Sequence, residues 1–317
     1  MRSGGTERSD SELVAVVDLG STAVRFLLAR IIPGVRYRVL AQERVPTRLG
    51  GGAPGTLSRK AIAETLLAVH RFFARLSPNG RGPRVVAVAT SAIRDARNRE
   101  RLLDPLRRAE GIDVRVLSAQ DEARLGVDAA LASLPLKDAG VADLGGASLQ
   151  WSRVRARTMV SSVSLPLGAV RTTVGRLRHD PPTPRELQSL RRDIRNQLEA
   201  ALPVAGRGEI LIGLGGTVRT LASIHLATHR SEREHRHGLS LRQSDVTAIR
   251  ERLQSLSSRK RRKVRGLKSE RADIIVAGAI VIEEIMVFGG YLELVVCTRG
   301  IREGILLREV GARRRVT

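Results

Sequence analysis

One pattern occurs twice along this chain and limits what it can fold into. An apolar run ends in Asp-x-Gly and a small-residue turn at VAVVDLGSTAVR, Val14–Arg25, and again at VADLGGASLQWSRV, Val141–Val154. Each reads as a buried strand that stops abruptly, turns through glycine and returns as a second strand. Glycine lets successive backbone N–H groups point at one anion, and the hydroxyls of Ser21, Thr22 and Ser148 add donors. Asp18 and Asp143 would repel a phosphate directly, so their place beside such turns suggests a divalent cation or a positioned water. One hairpin in each half of the chain predicts two related α/β domains gripping a phosphate between them.

The order of elements repeats with the hairpins. After the first, Tyr37–Val45 reads as a third strand and Leu49–Gly55 as a Gly/Pro loop. A helix follows from an N-cap at Ser58 to Leu76, then a buried strand at Arg84–Thr90, a charged helix over Asp95–Ala109 and a strand at Val114–Leu117. The second half predicts strands at Val141–Asp143, Leu149–Val154 and Thr158–Leu165, a helix over Pro184–Ala201 and a strand at Ile210–Ile212. Helices over Thr217–Ala227, Gln243–Leu256 and Asp273–Phe288 precede a strand at Leu292–Cys297 and a last helix from Ile301. A duplicated strand-strand-strand-helix order puts the boundary near Ser118–Glu122, with an N-terminal domain over 1–120 and a C-terminal one over 121–317. Arg313–Arg315 read as a solvated tail.

Composition narrows the function classes. The single cysteine, Cys297, excludes an intramolecular disulfide and a cysteine-based zinc site, as expected for a reducing cytoplasm. The N-terminus is polar, with Arg2, Glu7, Arg8 and Asp10, and lacks the apolar core of a signal peptide. The longest apolar stretch, Ile274–Phe288, is too short to span a bilayer and carries Glu283 and Glu284. A cytoplasmic protein without a membrane partner is the expectation. Net charge is +23, almost all of the excess arginine, whose guanidinium fork matches phosphate oxygens. That charge is equally an arginine-rich background, so it supports a polyanionic partner without naming one.

A third glycine turn, ILIGLGGTVRTLASI (Ile210–Ile224), runs from strand through Gly215, Gly216 and Thr217 into a helix whose first N–H groups favour an anion. Three such loops in this order resemble the superfamily of acetate and sugar kinases, heat-shock-70 proteins and actin. The segments between them resemble the exopolyphosphatase/pppGpp-phosphatase (Ppx/GppA) family in its short, two-domain form. Those segments are ATSAIRDARNRERLL (Ala89–Leu103), VLSAQDEARLGVDAA (Val116–Ala130), SLPLGAVR (Ser164–Arg171), RADIIVAGAIV (Arg271–Val281) and TRGIREGILL (Thr298–Leu307). The resemblance implies two actin-like (ribonuclease H-like) α/β domains around a central cleft, and a homodimer.

It also implies roles. The catalytic carboxylate of the family's motif falls on Glu122, where it would orient water in line with a terminal phosphorus. From its position alone, Glu122 reads first as a helix-start carboxylate favoured by the macrodipole, and the surrounding motif reverses that order. Asp143, with Asp18 and Glu122, would hold Mg²⁺ or the water. The N–H groups of Gly145, Gly146 and Ser148, the donors of Ser21 and Thr22, and the turn Gly215, Gly216, Thr217 would bind phosphate. Arg94 reads either as a phosphate fork or as a surface arginine before a charged helix, and Arg25 either as reaching the site or as an outward strand residue.

Four positions depart from the family pattern: Thr22 stands for Asn, Ala147 for glycine, Leu149 for Thr and Gln150 for Glu. Ala147 is expected to strain a backbone needing positive φ, and an amide at 150 can neither act as a base nor lend charge to Mg²⁺. The leading expectation is an exopolyphosphatase releasing terminal phosphate from inorganic polyphosphate. The alternatives are a pppGpp (guanosine pentaphosphate) 5′-phosphohydrolase, and a slow or inactive polyphosphate- or alarmone-binding sensor.

Three other signals carry less. Gly50-x-Gly52-x-x-Gly55 is interrupted by Pro54 and reads as a loop, not a dinucleotide fingerprint. His225 and His229 have helical i,i+4 spacing but no glutamate between them, and read as solvated residues. The run RKRRKVR, Arg259–Arg265, reads as a solvated face or as a rim steering polyphosphate; without interleaved aromatics, nucleic acid is not the expected partner.

Overall fold

The computed structural model describes residues 11–32, 34–53, 55–76, 82–202, 210–229 and 235–312. The expectations for Arg2, Glu7, Arg8, Asp10, Pro54 and Arg313–Arg315 lie outside them. The described chain forms two compact α/β units, one of residues up to Ser118 together with those from Ile301 onward, the other Ala119–Gly300.

The first unit begins with β1 (Glu12–Leu19), β2 (Ala23–Ile32) and β3 (Arg36–Pro46), followed by α1 (Arg59–Leu76) and β4 (Arg84–Ala89). The four-residue helix α2 (Ser91–Arg94), α3 (Glu100–Glu110) and β5 (Val114–Val116) complete its sequential part. Its sheet has the order β3-β2-β1-β4-β5, antiparallel across the first three strands and parallel from β1 to β4 to β5. The last six residues of β1 are all buried, as expected for a strand covered on both faces. Ala15, Val17 and Leu19 join a core with Ala61, Val69 and Phe72 of α1 and Leu102 and Leu106 of α3. The Ser58 hydroxyl caps α1, accepting from Ala61 N at 3.2 Å.

The expected helix over Asp95–Ala109 begins only at Glu100, after α2 has already ended at Arg94, and Asn98 supplies the reason. Its side chain accepts from Leu57 N and donates to Leu57 O, each at 2.9 Å, while Arg97 N donates to Gly55 O. Those bonds clamp the 55–57 loop and use the residues that would have continued a helix.

The second unit contains α4 (Ala119–Leu131), the meander β6 (Ala139–Leu144), β7 (Leu149–Arg155) and β8 (Thr158–Leu165), then α5 (Ala169–Arg176) and α6 (Pro184–Ala201). After β9 (Leu211–Leu214) come α7 (Gly215–His229), β10 (Ser240–Arg242), α8 (Gln243–Gln254), the short α9 (Ser258–Arg261), α10 (Ile275–Gly289) and β11 (Glu293–Val296). The sheet order is β10-β11-β9-β6-β7-β8, with β6, β9 and β11 parallel. Helix α10 is the centre of the core: its residues from Ile275 to Met286 are all buried. Its two acids are matched from neighbouring helices. Glu283 accepts from Arg250 at 2.9 and 3.0 Å and from Thr247 at 2.7 Å, and Glu284 pairs with Arg191 and Arg195.

The expectation that the second domain runs to residue 317 is corrected by the final helix, α11 (Ile301–Ala312). It packs on β1, β2 and β3 of the first unit. Arg302 Nη1 donates to Phe26 O at 3.1 Å, and Glu309 pairs with Arg84. No helix among the described residues is long and apolar enough to cross a membrane.

Candidate active site

Both expected hairpins form, each in its own unit. In the first, Asp18 of β1 lies opposite Arg25 of β2, and residues 20–22 make the turn. Arg25 Nη1 donates to Asp18 Oδ2 at 2.9 Å. Asp18 is 3 % exposed, and its Oδ1 is buried without a hydrogen-bond partner among the described residues. Arg25 is therefore directed at Asp18, not outward from the strand. The turn is tethered by its carbonyls: Ser21 O accepts from Gly50 N at 2.8 Å and Thr22 O from Arg48 N at 3.3 Å. Among the described residues, neither Ser21 N nor Thr22 N donates to a main-chain carbonyl.

The neighbouring parallel strand β4 brings its end to the same place, with Thr90 N donating to Leu19 O at 3.3 Å. Asp18, Ser21, Thr22 and the start of α2 thus share one end of the sheet, the carboxyl end at which α/β sheets bind ligands. Arg94 ends α2. Its Nη1 donates to Leu117 O at 2.8 Å, so one edge of its guanidinium braces the exit of β5.

In the second unit, Asp143 pairs in register with Gln150 across β6–β7 and with Leu214 across β6–β9. Gly145 N closes the turn onto Ser148 O at 3.0 Å. The carbonyls of Gly145 and Gly146 accept from Ala169, Val170 and Arg171 at the start of α5, which anchors the loop and consumes those helix-start donors. The N–H groups of Gly146, Ala147 and Ser148 donate to no main-chain carbonyl among the described residues.

The strain expected at Ala147 does not arise. No residue of the turn from Gly145 to Ser148 has positive φ, and the Ala147 methyl is buried. The glycine this loop does need is Gly168, which only SLPLGAVR hinted at. A β-carbon there would lie 2.2 Å from Ala147 C and 2.3 Å from Ser148 N. Gln150 is buried and donates through Nε2 to Ser148 Oγ at 2.7 Å, leaving the hydroxyl proton free for another acceptor.

Glu122 lies in the first turn of α4 and is only 5 % exposed, whereas a carboxylate serving the macrodipole alone would be solvated. One turn on, Gly126 shares its face. A β-carbon at Gly126 would lie 3.6 Å from Asp143 Oδ2, and one at Gly215 3.2 Å from Asp143 Oδ1. Asp143 is thus flanked by the Glu122 helix on one side and the start of α7 on the other.

Gly215 has φ +95° and touches Leu144 O, a conformation and an approach that only glycine tolerates. Beside it, a β-carbon at Gly216 would overlap the Arg271 guanidinium, and one at Gly278 would lie 2.6 Å from Thr217 Oγ1. Arg271, buried against the start of α7, belongs to this constellation and was not singled out from the sequence. Its signal was an arginine just ahead of the most apolar helix of the chain.

The run Arg259–Arg265 is partly internal. Arg261 is buried, with Nη1 donating to Ala272 O at 2.7 Å and Nη2 paired with Asp180. Arg259, Lys260, Arg262, Lys263 and Arg265 remain exposed.

Comparison with known proteins agrees with this architecture. The Ppx/GppA phosphatase family matches residues 28–313. Exopolyphosphatase 2 of Mycobacterium tuberculosis is 32 % identical over 317 residues, 94 % of this chain and 98 % of its own. Exopolyphosphatase 1 of Mycobacterium leprae is 28 % identical, over 94 % and 89 %. The crystal structure of the Aquifex aeolicus Ppx/GppA family member superposes with a TM-score of 0.79 at 29 % identity, covering 95 % of this chain and 98 % of that one. With its two actin-like units and glycine loops in the family's order, this chain belongs to the Ppx/GppA phosphatase family of hydrolases.

Proposed function

We propose that this enzyme is an exopolyphosphatase that releases orthophosphate from the end of inorganic polyphosphate. What supports the reading is the flanking of Asp143 by Gly126, on the face of α4 that carries buried Glu122, and by Gly215 of α7. Glu122 takes a proton from the attacking water and orients it toward the terminal phosphorus. Gly146, Ala147 and Ser148 direct main-chain N–H groups to the phosphate oxygens, and the Ser148 hydroxyl, accepting from Gln150, adds another donor. Gly215, Gly216 and Thr217 present the first N–H groups of α7 to anionic oxygens. In the first unit Ser21 and Thr22 offer donors of the same kind, with Arg94 near them.

The donor set fits a hard divalent cation. Asp18 has a buried oxygen with no hydrogen-bond partner among the described residues, and Asp143 and Glu122 add carboxylates of the type Mg²⁺ prefers. Asp143 and Glu122 are the residues that would hold it in the second unit, and Asp18 is the carboxylate of the same kind in the first. When bound, Mg²⁺ supplies charge neutralisation at the phosphate oxygens.

The deciding experiment measures orthophosphate release from defined-length polyphosphates and from pppGpp, side by side, with Mg²⁺. Polyphosphate is expected to be the better substrate, and Glu122→Gln to lower kcat by about 10²- to 10⁴-fold while polyphosphate still binds. Faster release from pppGpp would replace the substrate assignment. Unchanged turnover in Glu122→Gln would remove Glu122 from catalysis, and tight binding without release by the parent would make the protein a sensor.

A further inference from the structure

Two histidines that the sequence leaves as solvated residues meet an aspartate from the next helix. His225 and His229 lie one turn apart on α7, and Asp245 lies in the first turn of α8. One ligating atom of each lies within 4.8 Å of the other two. We propose that His225, His229 and Asp245 form a binding site for a single transition-metal ion, Zn²⁺ by preference, separate from the phosphate chemistry.

The hydrogen bonds already made leave the right atoms free. His229 Nδ1 lies 2.9 Å from His225 O, so its N–H donates to that carbonyl and Nε2 carries the lone pair. A ligating imidazole commonly donates its other nitrogen in this way. Among the described residues His225 Nδ1 is buried without a hydrogen-bond partner, 3.9 Å from Asp245 Oδ1. Two metal bonds of about 2.1 Å span that gap. Asp245 Oδ2 accepts from Arg242 N at 2.9 Å, which fixes the carboxylate and leaves Oδ1 as its ligating oxygen.

The imidazole rings lie with centroids 4.1 Å apart and planes tilted by 32°. Burial holds the His225 pKa below its ordinary value, with His229 acting in the same direction and Asp245 against it. A neutral imidazole is the form a metal takes.

Two nitrogens and one carboxylate oxygen suit Zn²⁺, Ni²⁺ or Co²⁺ better than Mg²⁺, with water completing the coordination. The bound ion ties the last turns of α7 to the start of α8. The site lies about 15–20 Å along α7 from Gly215, at roughly 1.5 Å per residue.

The test uses the full chain, stripped with a chelator and held in excess Mg²⁺ so that oxygen-rich sites stay filled. Zn²⁺ titration by calorimetry is expected to give one tight site, and Co²⁺ the visible absorption of a mixed nitrogen–oxygen site. His229→Ala, at an exposed position, and Asp245→Asn are each expected to weaken Zn²⁺ binding at least tenfold and to abolish the rise in Tm that Zn²⁺ gives the parent. His235→Ala should bind as the parent does. No Zn²⁺ binding by the parent, or parent-like binding in both His229→Ala and Asp245→Asn, would overturn the site. Phosphate release is not a readout, so these results stand apart from the polyphosphatase reading.

Discussion

Arg25 holds Oδ2 of Asp18 at 2.9 Å and leaves Oδ1 of the same carboxylate buried without a hydrogen-bond partner among the described residues. Removing the arginine strands a nearly buried negative charge, a loss of about 3 kcal/mol or more. Arg25→Ala is therefore expected to lower stability in urea denaturation by that order, and Asp18→Asn combined with Arg25→Ala to lower it less. Equal losses in the single and the double variant would mean that the pair does not account for the cost.

Gly168 is where the second glycine turn, Gly145–Ser148, is most easily broken. A β-carbon there meets Ala147 and Ser148 main-chain atoms at 2.2–2.4 Å, so backbone must move. Gly168→Ala should displace the turn from the start of α5 and cost several-fold or more in affinity for polyphosphate. Gly175→Ala, at a position with open space, serves as the control. Parent-like affinity in Gly168→Ala would show that the loop adapts.

Acid should attack the core of the second unit. Burial pushes the Glu283 carboxyl up, but hydrogen bonds from Arg250, Thr247 and Arg191 outweigh it and hold the pKa below its ordinary value. A lowered folded-state pKa gives stability that is complete above the unfolded value, about 4.3, and is lost as pH falls through the folded one. Denaturation midpoints should therefore fall from about pH 4 downward. Glu283→Gln should be less stable at neutral pH and depend less steeply on acid; an unchanged slope would place the acid sensitivity elsewhere.

Much of this arrangement was legible in the residues because it is local. Alternation and glycine marked β6, β7 and β8, and α6 was expected over Pro184–Ala201, where it lies. Contacts between distant segments were not legible. Asn98 gives up helix to clamp Leu57, and α11 returns to the first sheet across most of the chain. Gly168 is required by a loop twenty residues away, and Asp245 joins His225 only because α7 and α8 pack together. Each depends on which surfaces meet, and spacing along one element does not encode that. The Ala147 expectation failed for a related reason: positive φ was inferred from residue type, and this turn closes without it.

Gln150 separates the hydrolase from the sensor. Its amide N–H donates to Ser148 Oγ, so the hydroxyl proton can turn to phosphate. A carboxylate at 150 would instead accept that proton, turn the serine lone pairs outward and place negative charge beside the loop. If Gln150 is an adapted part of this site, Gln150→Glu should raise KM for polyphosphate several-fold with little change in kcat. If the amide is what silences the site, the same variant should gain turnover from a near-zero parent. Steady-state phosphate release from parent and variant at matched Mg²⁺ distinguishes the two, because the first outcome moves KM upward and the second moves kcat upward.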